Sequence, residues 1–235
     1  MLDYIADAIA HAASSPEKEI CGVVVIQKGR AKYFQCRNIS ESPVAEFIIS
    51  PDDYAEAEDA GEIIKIVHSH VGIPPLPSQA DLVGCELTKL PWIIVNGRTG
   101  AWNEFEPNGY EAPLVGRQYS HGVLDCFSIV RDYYRINFGI MIADYHRDWE
   151  WWLKGQNLYT DHFEKEGFIS VAESEMREGD SLLIQVQSRT PNHAAVYLGN
   201  NLILHHLTNR LSSRDVYGGY FRKHTVMVLR HRSLA

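Results

Sequence analysis

A break in patterning constrains this chain more than any single motif. Residues 107–116, PNGYEAPLVG, hold Pro107, Asn108, Gly109, Pro113 and Gly116 and show no apolar period. Such a stretch makes a turn-rich link rather than an element. It divides the 235 residues into 1–108 and 112–235, each a normal size for a small domain. With 45% hydrophobic and 22% charged residues, both parts have the apolar material for a core.

Before the break the pattern is mixed. Leu2, Ile5, Ile9 and Ala12 recur at helical spacing, predicting an amphipathic helix over 2–13. Strands are expected at 22–27 and 31–36. Ser50, Pro51, Asp52 and Asp53 supply a cap, a proline at the first helical position and acids in the first turn, so a helix should run to about residue 60. A buried strand is expected at 62–68, and Ser78–Asp81 opens a second helix as a capping box. Residues 91–96 and 101–106 read as two strands joined by a turn.

After the break, 125–137 is a strong helix, and 138–177 is expected to be helical or irregular and rich in aromatics. Strands follow at 180–186, 193–198, 202–207 and 225–230. Both halves therefore predict an α+β fold, a mixed domain followed by a helix-then-antiparallel-sheet domain.

Two constellations carry chemistry. In the first, His68 and His70 lie two apart at a strand end, so they project to one face. Asp81, in the first turn of the next helix, can aim back at that strand end. Two imidazoles and a carboxylate suit a three-ligand zinc site with an open position for water. Ser78 at the helix start can donate to a developing oxyanion. Glu19, in Glu-Ile-Cys-Gly before a strand, is the candidate base, with Glu17 as a neighbour it must be told apart from. An upstream Glu before Cys-Gly, then His-x-His, Ser and Asp at this spacing, resembles the JAMM/MPN metallopeptidase motif over roughly residues 1–105. The resemblance implies zinc held by His68, His70 and Asp81, Glu19 as general base, Ser78 as oxyanion donor, and cleavage of peptide or isopeptide bonds. Val71 stands where that family usually has proline.

In the second, Asp125-Cys126-Phe127-Ser128 starts the 125–137 helix, where the dipole and free N–H groups favour a thiolate and can line an oxyanion hole. His193 opens a strand after the turn Thr190-Pro191-Asn192, and Gly199-Asn200-Asn201 reverses the chain into Leu-Ile-Leu-His-His. A three-residue loop sets Ala195 opposite His205 and puts His193 and His205 diagonally on one face; a two-residue loop brings His206 there instead. Spacing alone leaves both open. Asp-Cys-x-Ser, a strand-borne His and a polar residue twelve positions on resemble the NlpC-type cysteine peptidases over roughly 112–235. That resemblance implies Cys126 as nucleophile, His193 as base, His205 as third member and Tyr119, in Tyr-Ser-His-Gly, as a donor near the oxyanion. Ile129 replaces the usual glycine after the serine, and the step from Tyr119 to Cys126 is short. Cys21, Cys36 and Cys85 read as core filler; Trp149, Trp151 and Trp152 read as core or interface, with the lining of a substrate groove as the alternative.

The formal net charge is -8 with no basic cluster, which argues against nucleic-acid binding. No stretch has the ~18 consecutive apolar residues of a membrane span. Four scattered cysteines without a CxxC pair suggest neither a disulfide framework nor a cysteine zinc site. The N-terminus, with Asp3 and Asp7 and no basic region, does not read as a signal peptide. Taken in this order, the two halves resemble the tail tip assembly protein K family of lambda-like phages. The resemblance implies synthesis in the host cytoplasm, incorporation into the virion tail, other tail-tip proteins as partners and peptidoglycan peptides as substrate. The alternatives are a non-catalytic tail-tip module, or an enzyme processing a phage protein through the zinc half alone.

Overall fold

The computed structural model describes residues 2–235. It divides into two compact units, one ending at Glu111 and the other spanning Ala112–Ala235. Both mix helices and sheet, as expected of α+β domains.

The N-terminal unit runs α1 (Asp3–Ser14), β1 (Cys21–Gln27), β2 (Arg30–Cys36), α2 (Pro51–Ala60), β3 (Glu62–Ser69), α3 (Gln79–Thr88), β4 (Trp92–Val95) and β5 (Trp102–Phe105). Its sheet has the order β2-β1-β3-β4-β5. The β3–β4 pair is parallel and the others antiparallel, so β3-α3-β4 is the crossover unit. Alternation along β1 builds two cores. Val24 joins Val67, Ile93 and Val95 under Ile5, Ala8 and Ala12 of α1. Val23 and Val25 point the other way, toward Ala57 of α2 and Cys85 of α3. The sheet is thus covered on both faces. The caps form as the residues require: Ser50 Oγ accepts from Asp53 N, and Ser78 and Asp81 make a reciprocal capping box.

The C-terminal unit runs α4 (Cys126–Phe138), a 3-10 turn (Trp151–Lys154), α5 (Leu158–His162), β6 (Phe168–Val171), a second 3-10 turn (Glu173–Glu175), β7 (Ser181–Ile184), β8 (His193–Tyr197), β9 (Leu202–His205), β10 (Ser213–Val216), α6 (Gly219–His224) and β11 (Thr225–His231), closing on a 3-10 turn (Arg232–Leu234). The sheet order is β10-β9-β8-β7-β11-β6, antiparallel throughout. Ile129, Val130, Tyr133 and Tyr134 of α4 pack on Leu183, Ala194, Val196, Leu204 and Leu229. On the opposite face Tyr217 and Phe221 cover Leu182, Ile184, Ala195, Ile203 and Val228. Arg117, wholly buried, donates to the carbonyls of Ala112 and Pro113 and to Asp132 of α4 at 2.7 Å, tying the start of the unit to its main helix.

The structure departs from the sequence pattern in three places. Residues 138–177 are not merely helical or irregular, since β6 lies within them and pairs with β11 at a sheet edge. Neither β10 nor α6 follows from an apolar period: β10 reads Ser-Arg-Asp-Val and α6 has no buried residue. Of the three tryptophans only Trp151 is fully core; Trp152 packs on that core, and Trp149 is 37% exposed against the edge of His121.

Candidate active sites

In the N-terminal unit, β3 ends at Ser69, so His68 is the penultimate residue of the strand and His70 lies just beyond it. The amide of His70 donates to Val95 O of the parallel neighbour. The site therefore lies outside the carboxyl end of a parallel strand, next to the helix that follows it. The capping box holds Asp81: its Oδ2 accepts from Ser78 N at 2.7 Å, and Ser78 Oγ accepts from Asp81 N at 3.2 Å. Three pairs of atoms meet. His68 Nε2 and His70 Nε2 are 3.3 Å apart, His68 Nε2 and Asp81 Oδ1 are 3.2 Å apart, and His70 Nε2 and Asp81 Oδ2 are 3.4 Å apart. Ligands ~2.0–2.1 Å from a tetrahedral zinc are ~3.3–3.4 Å from each other, so the spacing of this donor set fits the ion. His70 Nδ1 lies 3.2 Å from Pro74 O and donates to it, so Nε2 is the nitrogen turned to His68 and Asp81. His68 is stacked on Phe47 at 4.5 Å and meets Trp92 edge-on, with a buried Nδ1 that has no partner among the described residues.

Burial lowers His68, while at His70 the Asp81 contact and the Pro74 carbonyl outweigh burial and raise it. Burial also works against the Asp81 carboxylate, but hydrogen bonds from both histidines hold its pKa far below the ordinary range. Glu19 precedes β1 and is buried. Burial pushes its carboxyl up to about 8, and the charges of His70 and Asp81 act on it. Glu17, by contrast, is exposed and pairs with Arg98 at 3.6 Å, away from this chemistry.

In the C-terminal unit, Asp125 is the N-cap of α4, and Cys126 is the first helical residue. The Asp125 carboxylate accepts from Phe127 N, Ser128 N and Gly122 N. Arg147 grips it with two bonds, Nε to Oδ2 at 2.6 Å and Nη2 to Oδ1 at 3.0 Å, and lies over the Phe127 ring. Two of the amides expected to line an oxyanion hole are therefore already committed to Asp125. Cys126 N–H is not among them. The thiol also differs from expectation. A helix N-terminus favours a thiolate, but burial, followed by the Asp125 charge, raises the Cys126 pKa, so the resting sulfur is a thiol. Cys126 is nevertheless partly exposed, while Cys21, Cys36 and Cys85 are buried, and burial pushes Cys21 up to about 12.

Cys126 Sγ lies 3.2 Å from Tyr159 Oη of α5 and 4.0 Å from the carbonyl of Asn192, the residue before His193. On β8 and β9 the register is Ala195 opposite His205, and Gly199, Asn200 and Asn201 all take positive φ, making the three-residue reversal. That register brings His193 Nε2 within 3.0 Å of His205 Nδ1. His206 is not in that pair; its Nε2 meets Arg210 O at 3.1 Å, and its ring meets Tyr119 edge-on at 5.2 Å. Burial, then the neighbouring His205 and His206, lower His193 to about 3, so its imidazole is neutral. Tyr119 Oη lies 3.5 Å from His121 Nδ1, and its pKa is raised first by burial and next by Cys126. Cys126 Sγ thus reaches the backbone next to His193, and a protonated thiol with a neutral imidazole is the pair that general-base nucleophilic attack uses.

Three groups at this site have no sequence signal strong enough to find them. Tyr159 and Arg147 come from the aromatic, irregular stretch. Asp215, whose Oδ2 is 2.9 Å from His205 Nε2, comes from the polar strand β10.

Comparison with known proteins gives both halves a family. Residues 116–230 match the NlpC/P60 family, and residues 2–107 match the prokaryotic homologs of the JAB domain. The chain is 40% identical over 233 residues to "Tail tip assembly protein K" of Escherichia phage N15, covering 97% of this chain and 94% of that protein. It is 40% identical over 185 residues to "Tail tip assembly protein K" of Escherichia phage lambda, covering 79% and 90%. The similarity to "Desampylase" of Pyrococcus furiosus is 36% over 109 residues, covering 43% of this chain and 77% of that protein.

Proposed function

The chain belongs to the family of Tail tip assembly protein K, with a JAB-like domain ahead of an NlpC/P60 domain, and from that premise we propose that it is a phage tail-tip component carrying two hydrolytic sites. The C-terminal site is a thiol endopeptidase for peptidoglycan peptides. The N-terminal site is a zinc peptidase. Tail-tip proteins are its partners, and it is made in the host cytoplasm and built into the virion tail.

The observation that carries the thiol reading is that Cys126, at the start of α4, approaches the carbonyl of Asn192 at 4.0 Å, one residue before the His193 that pairs with His205. His193 takes the thiol proton as Sγ attacks the peptide carbonyl carbon. The S–C bond forms, the C–N bond breaks, and His193 passes the proton to the departing amine; water then hydrolyses the thioester. Cys126 N–H and Tyr119 Oη are the donors offered to the developing oxyanion. The zinc reading is supported by the convergence of His68, His70 and Asp81, whose donor atoms lie within contact of one another. Bound there, zinc supplies Lewis acidity and lowers the pKa of a water. Glu19, buried with a raised pKa, serves as the base that accepts and returns the proton, and the Ser78 hydroxyl donates to the oxyanion.

Iodoacetamide tests the thiol site. Cys126 should be alkylated much faster than Cys21, Cys36 and Cys85, and its alkylation should stop solubilisation of purified peptidoglycan. Uniformly slow labelling would instead favour a module that only binds other tail proteins.

A further inference from the structure

We infer that Asp215 is a positioning residue for the thiol site, setting the tautomers of His205 and His193 so that His193 Nδ1 is the bare nitrogen. The inference deepens the thiol-peptidase reading above and rests on it.

β10 pairs with β9 so that Ser213 faces His205 and Asp215 faces Ile203, which places Asp215 diagonal to His205 on the same side of the sheet. Asp215 Oδ2 and His205 Nε2 are 2.9 Å apart, and His205 Nδ1 and His193 Nε2 are 3.0 Å apart. Burial disfavours the charge on Asp215, but its contacts with His205 and Arg210 keep the carboxyl below the ordinary range, so it is ionised and accepts only. His205 Nε2 must then carry a proton. Burial lowers His205 and it is neutral, so its Nδ1 is bare and can only accept. His193 Nε2 must therefore be the donor, and neutral His193 is left with a bare Nδ1, the nitrogen that on the thiol-peptidase reading receives the Cys126 proton.

Without Asp215, two neutral imidazoles 3.0 Å apart are free to run the opposite way. His193 Nε2 would then accept from His205, and its Nδ1 would carry the proton and fail as a base. Among the described residues the other neighbours do not set this polarity: the Ser213 hydroxyl, opposite His205, is bonded to Asp215. Phe221 meets His205 as an apolar ring edge at 4.8 Å, and Arg210, 3.5 Å from Asp215, is itself only a donor. A wrong tautomer costs a Ser–His–Asp triad about 10⁴ in turnover. Asp215 acts one imidazole further away, so about a ten- to hundredfold effect is expected.

The test uses the full chain labelled with ¹⁵N-histidine and reads ring tautomers by two-bond proton–nitrogen correlation at neutral pH, together with the Cys126 alkylation rate. In the wild type, His193 and His205 should both be protonated at Nε2. In Asp215→Ala the two rings should shift toward Nδ1–H, and alkylation should slow about ten- to a hundredfold. Asp215→Asn, which keeps an acceptor oxygen, should restore much of both. Rings that stay Nε2-protonated in Asp215→Ala, or a wild-type His193 protonated at Nδ1, would overturn the inference. If the tautomers follow Asp215 while Cys126 reacts no faster than the buried cysteines, the positioning role stands and the thiol-peptidase reading fails.

Discussion

At the scale of single residues, the fold holds His193 uncharged. Its folded pKa, about 3, lies below the unfolded value near 6.5, so the unfolded chain binds the extra proton as pH falls. The stability tied to this group is complete above pH ~6.5 and is lost as pH drops toward 3, on the order of a few kcal/mol in all. Replacing it removes that dependence: His193→Gln should flatten the fall in melting temperature between pH 6.5 and 4 relative to wild type. Parallel curves would mean that the ring is not buried and neutral. Tyr159→Phe is a second residue-scale test. It removes the hydroxyl at 3.2 Å from Cys126 Sγ and should slow alkylation without moving the melting temperature by more than about 1 kcal/mol equivalent. The spacing of Asp125-Cys126-x-Ser128 gives the helix start and that of His193 and His205 the hairpin pair, because both are short-range geometry. Asp215, Tyr159 and Arg147 stay hidden, because each reaches the site through tertiary packing of a segment with no periodic pattern.

At the scale of elements, caps decide where helices begin, and they are the most readable part of the chain. Ser50, Ser78 and Asp125 each occupy the N-cap, with side chains bonded to the amide of the third helical residue. Ser50→Ala should cost about 1 kcal/mol, seen as a lower urea midpoint. Asp125 is a different case, since its charge is buried and matched by Arg147. Arg147→Met leaves that carboxylate unpaired and should cost about 3–5 kcal/mol. Hydrogen exchange should locate the loss as faster exchange of the α4 amides; unchanged exchange would show that the pair contributes little. Strands with a buried face follow from their apolar runs, as in β1, β3, β7 and β8. β10 does not, because an edge strand takes polar residues on the side that faces water and so looks like loop, and β6, Phe-Ile-Ser-Val, is only four residues long and too short to show a period.

At the scale of the whole molecule, each unit has its own cores and its own cluster of reactive side chains. The two chemistries should therefore separate by mutation. His68→Ala/His70→Ala should abolish zinc binding in a metal assay and the rise in melting temperature that added zinc gives the wild type, while leaving peptidoglycan cleavage intact. Zinc retained by the double variant would refute the His68–His70–Asp81 site. The central claim is that Cys126 cuts the peptides of the cell wall. Mass spectrometry of muropeptides, after incubation with wild type and with Cys126→Ala, tests it most directly. New peptide fragments should appear with the wild-type chain and none with the variant. Identical fragments released at the same rate by Cys126→Ala would contradict that claim.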